Sequence, residues 1–374
     1  MLRPMLGSRS GPMIGRSSSR CTRVTGTSFR RADRRPGRTR PAQPPADLVS
    51  GCPVPAATRL ECPLTIPADS PTDRPWPAAV PETIGVDSDQ LARLCRRVVE
   101  IGLPIHSLLV LRHGRVAADV TFHPFAGGLH DLASCTKSVT STLVGIAIDR
   151  GHIAGVDQPV LDLLPGRPVA NVDERKRGLT LAHLLTMSTG LACYADPGEI
   201  TLQEMRRSDD WAQFVLDLPM VEEPGARFEY CSPATYLLSV ILQEATGRTA
   251  LDFARETLFG PLGIEEVVWP PSPQGVTTGW GDLHLTPHDM AKIGALFLQR
   301  GRWNGRQVVS PDWVGAATRK HATPPGRYGY GYGWWLESPE VYAAIGRGGQ
   351  QIIVAPALDA AVSTTTAGLA SEQW

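Results

Sequence analysis

Residues 139–148, Val-Thr-Ser-Thr-Leu-Val-Gly-Ile-Ala-Ile, form an apolar stretch long enough for a buried helix, with Gly151 placed to end it. Upstream, Leu91, Leu94, Cys95 and Val98 recur at helical spacing behind Ser88, which predicts a helix capped by that serine. Ile105–Leu111 and Arg115–Phe122 flank His113-Gly114 and predict a β-hairpin. From about 180 to 275 the pattern is mostly helical. A short amphipathic segment runs from Leu179 into Gly190, followed by Asp209–Leu216, Ala234–Ala245 and Ala250–Leu258. Another helix follows Pro287 to Gln299. From Tyr328 the period changes, predicting strands at Tyr328–Leu336, Val341–Ile345, Gln350–Ala355 and Ala360–Thr366. Strands at both ends with helices between them predict an α/β part, about 78–179 and 276–374, carrying an all-α insertion, about 180–275.

Composition changes this picture at the N-terminus. The 374-residue chain has no formal net charge. Residues 1–40 nevertheless hold 11 arginines and one acid, Asp33, so a basic segment precedes an acidic body. Residues 1–77, rich in Arg, Pro, Ser and Gly, read as a disordered tail. Nothing in the body suggests a nucleic-acid surface, and no stretch has the length of a membrane span. Arg30-Arg31 and Val49-Ser50-Gly51-Cys52 imitate targeting signals but lack an adjoining apolar core, so a cytoplasmic location is expected. The seven cysteines are an odd number without C-x-x-C spacing. They argue against a disulfide framework, and Cys135 and Cys231 read as small buried thiols.

The candidate chemistry lies at the start of the apolar run. Ser134 and Lys137, three residues apart, fall on one helix face. A half-desolvated lysine loses its charge more easily, and a neutral amine beside a serine hydroxyl can take its proton. Lysine is rare here, with four residues against 33 arginines, and arginine could not serve as such a base. Taken alone, the pair equally fits an N-cap serine beside a snorkelling lysine. Tyr230, with Ser232 two residues on and a helix following, is the candidate proton carrier. Nearby ammonium groups are expected to lower its pKa. Gly346-Arg347-Gly348-Gly349-Gln350 permits close approach of a substrate to the backbone, where an N–H with that of Ser134 can bind an oxyanion. His113, His183 and His288 have no metal-ligand spacing, and no cofactor is called for.

Together these residues resemble the serine β-lactamase-related hydrolases: class C β-lactamases, D-alanyl-D-alanine carboxypeptidases, related esterases and 6-aminohexanoate-dimer hydrolases. Ser134-Cys-Thr-Lys137 matches S-x-x-K, and Tyr230-Cys-Ser232 matches Y-x-N/S. Thr180–Leu191, Leu285–Lys292 and Tyr330–Trp335 resemble further segments of the group, the last two pointing to the 6-aminohexanoate-dimer hydrolase branch. The resemblance implies a β-lactamase/DD-peptidase-like fold, an antiparallel sheet flanked by helices with a helical subdomain. It implies Ser134 as acylated nucleophile, Lys137 as base, Tyr230 as proton donor to the leaving group and Ser232 as a positioning group. It implies the N–H groups of Ser134 and Gln350 as oxyanion hole, with Arg347, Gly348, Gly349 and Tyr194 as substrate contacts. The substrate would be a small ester or amide.

Three features depart from the pattern. Arg347-Gly348-Gly349 stands where β-lactamases carry K-T-G, which argues against β-lactam turnover while keeping a positive charge. Asp282 stands where relatives more often have a small residue. Leu369–Trp374 reads as the start of a helix that relatives complete. Two alternatives therefore stand beside the hydrolase: a penicillin-recognising module that traps its acyl group, and a truncated, non-catalytic homologue acting through its basic tail. Oligomeric state is left open.

Overall fold

The computed structural model describes residues 76–125, 127–196 and 198–366. They belong to the compact unit Leu60–Trp374. Residues 1–75, nearly all of the segment read as a tail, and the stretch Leu369–Trp374 fall outside the described residues.

Helix α1 (Ser88–Glu100) is capped one residue earlier than expected, by Asp87, whose side chain accepts from Gln90 N. Strands β1 (Ile105–Arg112) and β2 (Arg115–Thr121) form the hairpin. Its turn residues, His113 and Gly114, both lie at positive φ, as a tight primed turn requires. Helix α2 (Thr136–Asp149) is buried from Thr136 to Ala147. Its hydroxyls are spent on loop carbonyls: Ser138 on Gly333 at 2.6 Å, Thr140 on Gly279 at 2.8 Å and Ser141 on Tyr332 at 2.6 Å. A helix polar enough to be solvated is thus accepted in the core because most of its hydroxyls are paired, Thr136 Oγ1 being the exception.

The middle of the chain forms α3 (Leu181–Leu185), α4 (Ile200–Arg207), α5 (Trp211–Asp217) and α6 (Ser232–Thr246). Helix α6 is buried from Ser232 to Leu242 and packs on α2. After α7 (Pro287–Leu298) and α8 (Pro311–Ala317) come β3 (Gly329–Tyr330), β4 (Trp335–Leu336), β5 (Tyr342–Gly346), β6 (Gln350–Ala355) and β7 (Ala360–Thr366). The strand expected over Tyr328–Leu336 is in fact two, separated by a turn at Gly331–Gly333. Gly333 sits at φ 76 with no room for a Cβ, which would lie 2.9 Å from the Lys137 carbonyl oxygen.

The sheet order is β2-β1-β7-β6-β5-β4-β3, antiparallel throughout. The first hairpin therefore pairs with the last strand, joining the two ends of the described chain in one sheet. Helix α7 crosses one face, where a Cβ on Gly294 would come within 2.9 Å of Ile352. On the other face α1 covers β1 through Cys95, Val98, Leu108 and Phe122.

One cysteine reading is corrected. Cys193 and Cys231 form a disulfide, with Cα atoms 5.7 Å apart, so Cys231 is not a thiol. Residue spacing could not show this, because the partners are 38 residues apart and meet only after α4 and α5 have folded back. Cys95 and Cys135 remain buried thiols. Replacing both bridged cysteines by alanine is expected to cost about 3 to 4 kcal/mol of stability, since a loop of this length regains its freedom in the unfolded chain. Urea unfolding of the parent and double variant measures it.

Candidate active site

The turn before α2 is built by three local devices. Asp131 accepts from Ala133 N at 2.8 Å, and Leu132 N donates to Leu283 O at 2.8 Å. Ala133 is held at φ 46, a strained conformation for a residue with a Cβ. The end of β5 closes on this turn so tightly that a Cβ on Gly346 would lie 2.3 Å from Leu132 O. Ser134 then stands in a 3₁₀ turn, Ala133–Cys135, that runs straight into α2.

The helix spacing brings Lys137 under Ser134, its Nζ 3.0 Å from the seryl Oγ. The same Nζ donates to the Trp280 carbonyl at 2.9 Å. Lys137 is only 2% exposed, and burial pulls its pKa down to about 8. The Glu199 carboxylate opposes this shift, and the Arg347 guanidinium adds to it.

Tyr230 completes the group. Its hydroxyl stands close enough to those of Ser134 and Ser232 for both to act on it, and Lys137 Nζ lies 4.8 Å from its ring centroid. Its ring stacks on Trp335, with centroids 6.0 Å apart and planes 18° apart. Contrary to the expectation of a lowered pKa, burial raises the phenol above its ordinary range. Desolvation at the inner end of the cleft leads, and the Glu199 carboxylate adds to it. Ser232 Oγ is buried without a hydrogen-bond partner of normal geometry, a free polar group beside the phenol.

On the sheet side, Cys135 Sγ donates to Gln350 O at 3.3 Å, placing the start of β6 one residue from Ser134. The Gln350 side chain is tied to Thr366 and does not enter the cleft. Gly348 and Gly349 both adopt positive φ, and Arg347 is exposed. Ser134, Tyr230, Arg347, Gly348 and Gly349 line a cleft of about 710 Å³. Tyr194 is not brought in: it is 45% exposed and is not among the residues lining that cleft.

Two further contributors escaped sequence reading. The Trp280 carbonyl anchors Lys137, and it is presented by a turn in which Asp282 takes φ 64. Asp282 pairs with Arg206 at 3.5 Å, whose guanidinium covers the Trp280 ring at 5.6 Å. This accounts for an aspartate at that position, since Asp tolerates the left-handed region. The glycine-flanked run Gly279-Trp280-Gly281-Asp282 was the available signal. Glu199, which lines the cleft beside Ser134 and Tyr230, gave none.

The histidines serve the scaffold. His183 caps α3 with Thr180, His288 bonds Asp119 at 3.0 Å, and His113 bonds Asp359 at 2.9 Å. Among the described residues, no group of three or more His, Cys, Asp or Glu could hold a metal ion, and no helix is long and apolar enough to cross a membrane.

Comparison with known proteins places the chain in a family. Residues 91–373 match the family described as Beta-lactamase. Penicillin-binding protein 4 of Amycolatopsis lactamdurans is 34% identical over 160 residues, 42% of this chain and 39% of that protein. The 6-aminohexanoate-dimer hydrolase of Paenarthrobacter ureafaciens is 27% identical over 282 residues, 68% of this chain and 71% of that one. The chain thus spans well under half of the first relative and about seven tenths of the second. The crystal structure of a family VIII carboxylesterase shares the fold, with a TM-score of 0.62 at 16% identity, over 80% of this chain and 95% of that one.

Proposed function

From its place in the beta-lactamase family, to which this chain belongs as a hydrolase, we propose that it cleaves small esters or amides through an acyl-enzyme on Ser134. The observation that carries this is the 3.0 Å contact between Lys137 Nζ and Ser134 Oγ in a cleft that Tyr230 also lines. Burial moves the lysine down and the phenol up, so near pH 8 and above the resting pair is a neutral amine and a neutral phenol. Each is then in the protonation state its task needs, one as base and one as acid.

Lys137 takes the proton as Ser134 Oγ attacks the carbonyl carbon. The N–H groups of Ser134 and Gln350 receive the oxyanion. Tyr230 gives its proton to the departing alcohol or amine and recovers one from the Lys137 ammonium. Water then attacks the acyl group by the same path in reverse. Among substrates, the 6-aminohexanoate-dimer hydrolase relative favours a linear amide or ester of that size. Arg347 supplies a cation where a carboxylate end would lie.

Reaction with a fluorophosphonate and with nitrophenyl acetate, followed by peptide mass spectrometry, tests the proposal. One label on Ser134 with steady turnover supports it. A burst of one equivalent followed by silence would instead identify an acyl-trapping protein, as the penicillin-binding relative's name suggests. No label in folded protein overturns both. Tyr230→Phe is expected to lower kcat by about 10² to 10⁴, and more for an amide than for an ester, because an amine leaves only when protonated. Matched ester and amide substrates measure the difference.

A further inference from the structure

The charged groups lining the cleft do not all have partners. Arg327 and Glu337 neutralise each other at 2.8 Å. Glu199, half-buried on the wall that also carries Ser134 and Tyr230, has no ion pair or side-chain hydrogen bond among the described residues. Lys137 is not its partner in that sense, because the lysine's bonds go to Ser134 and Trp280. Its presence nonetheless reaches both Lys137 and Tyr230 electrostatically, which places the carboxylate near the reacting groups.

The backbone at Glu199 is held in a costly conformation. Its φ is 57, immediately after Gly198 at φ 62. Gln203 Nε2 pins this turn by donating to Gly198 O at 2.7 Å, and Gln203 N donates to Glu199 O at 3.1 Å. A left-handed glutamate pinned at the rim of a cleft is an arrangement that packing alone does not require.

We propose that Glu199 is the specificity residue of this cleft, selecting esters or amides that carry an ammonium group near the scissile bond. This rests on the acyl-enzyme reading of Ser134. A half-buried carboxylate with no ion pair or side-chain hydrogen bond keeps its acceptor oxygens available to the cleft, and a substrate ammonium supplies a partner for them. The charge-assisted bond corresponds to a preference of about 10- to 100-fold over an uncharged isostere. The cation is the substrate's, and the bond broken is the same ester or amide bond.

The experiment uses two matched pairs on the full chain. Alanine benzyl ester, in both enantiomers, is compared with benzyl propionate, which places the cation on the acyl part. Acetylcholine is compared with its uncharged tert-butyl isostere, which places it on the leaving part. In at least one pair the cationic member is expected to show at least tenfold higher kcat/KM. The near-isosteric Glu199→Gln is expected to cut that ratio at least tenfold, and Glu199→Asp to keep part of it. Calorimetric binding of the same compounds to the Ser134→Ala protein reads the same preference without turnover. Loss of hydrolysis with preference intact therefore counts against the catalytic reading and not against Glu199. Equal treatment of both members in both pairs overturns the proposal. So does an effect of Glu199→Gln that is the same for charged and neutral substrates, which would make Glu199 only a regulator of Lys137.

Discussion

Ser134→Ala is expected to lower kcat by a factor on the order of 10⁵ while leaving the fold intact. The loss is this large because base, acid and oxyanion groups act on a bond that the seryl oxygen makes, so without it they have nothing to activate. The fold should survive because the Ser134 hydroxyl is only partly buried and its side-chain contacts are with Lys137 and Tyr230, both of which keep other packing partners. Removing it leaves the Asp131–Ala133 turn and the Leu132–Leu283 bond untouched. Fluorophosphonate labelling, steady-state turnover and a thermal melt on one preparation check all three statements. An alanine variant that melts as the parent does and still turns over nitrophenyl acetate would show that another residue is acylated.

The second large effect lies at Lys137. Because its folded pKa is lowered to about 8, the neutral amine is the minor form at pH 7, roughly one molecule in ten, and the major form above pH 8. The sign follows directly: kcat/KM should rise about tenfold per pH unit below 8 and level off above it. Lys137→Arg keeps the charge and length but cannot release a proton, so the rise should vanish and activity fall by about 10² to 10⁴. A pH–rate profile of parent and variant decides this. A parent profile that is flat from pH 6 to 9 would remove Lys137 from the role of base.

Several parts of this molecule were legible because they depend on neighbours in the chain. The hairpin about His113-Gly114 follows from turn geometry, and the closeness of Ser134 to Lys137 follows from helical period. The late strands at 342–366 follow from alternation between turn residues. Membership of the family was readable from motifs whose order and spacing survive low identity.

Other features depend on groups far apart in the chain, and only the folded structure decided them. The carbonyl that anchors Lys137 belongs to Trp280, 143 residues away, and no backbone oxygen announces itself in a sequence. The Cys193–Cys231 bridge needed α4 and α5 to return the chain on itself. The single strand expected at Tyr328–Leu336 is broken at Gly331–Gly333, where Gly333 turns at φ 76 and packs so close to α2 that a Cβ would lie 2.9 Å from Lys137 O. Tyr230 moved opposite to expectation because counting nearby cations ignores desolvation and the Glu199 carboxylate, both of which depend on what the fold packs around the phenol. The sequence alone therefore determined which chemical groups this protein has and how they are spaced along each local element. The tertiary structure decided their protonation, their anchoring and the charge left over in the cleft, because burial and the electric field inside a protein are set by what packs around a group.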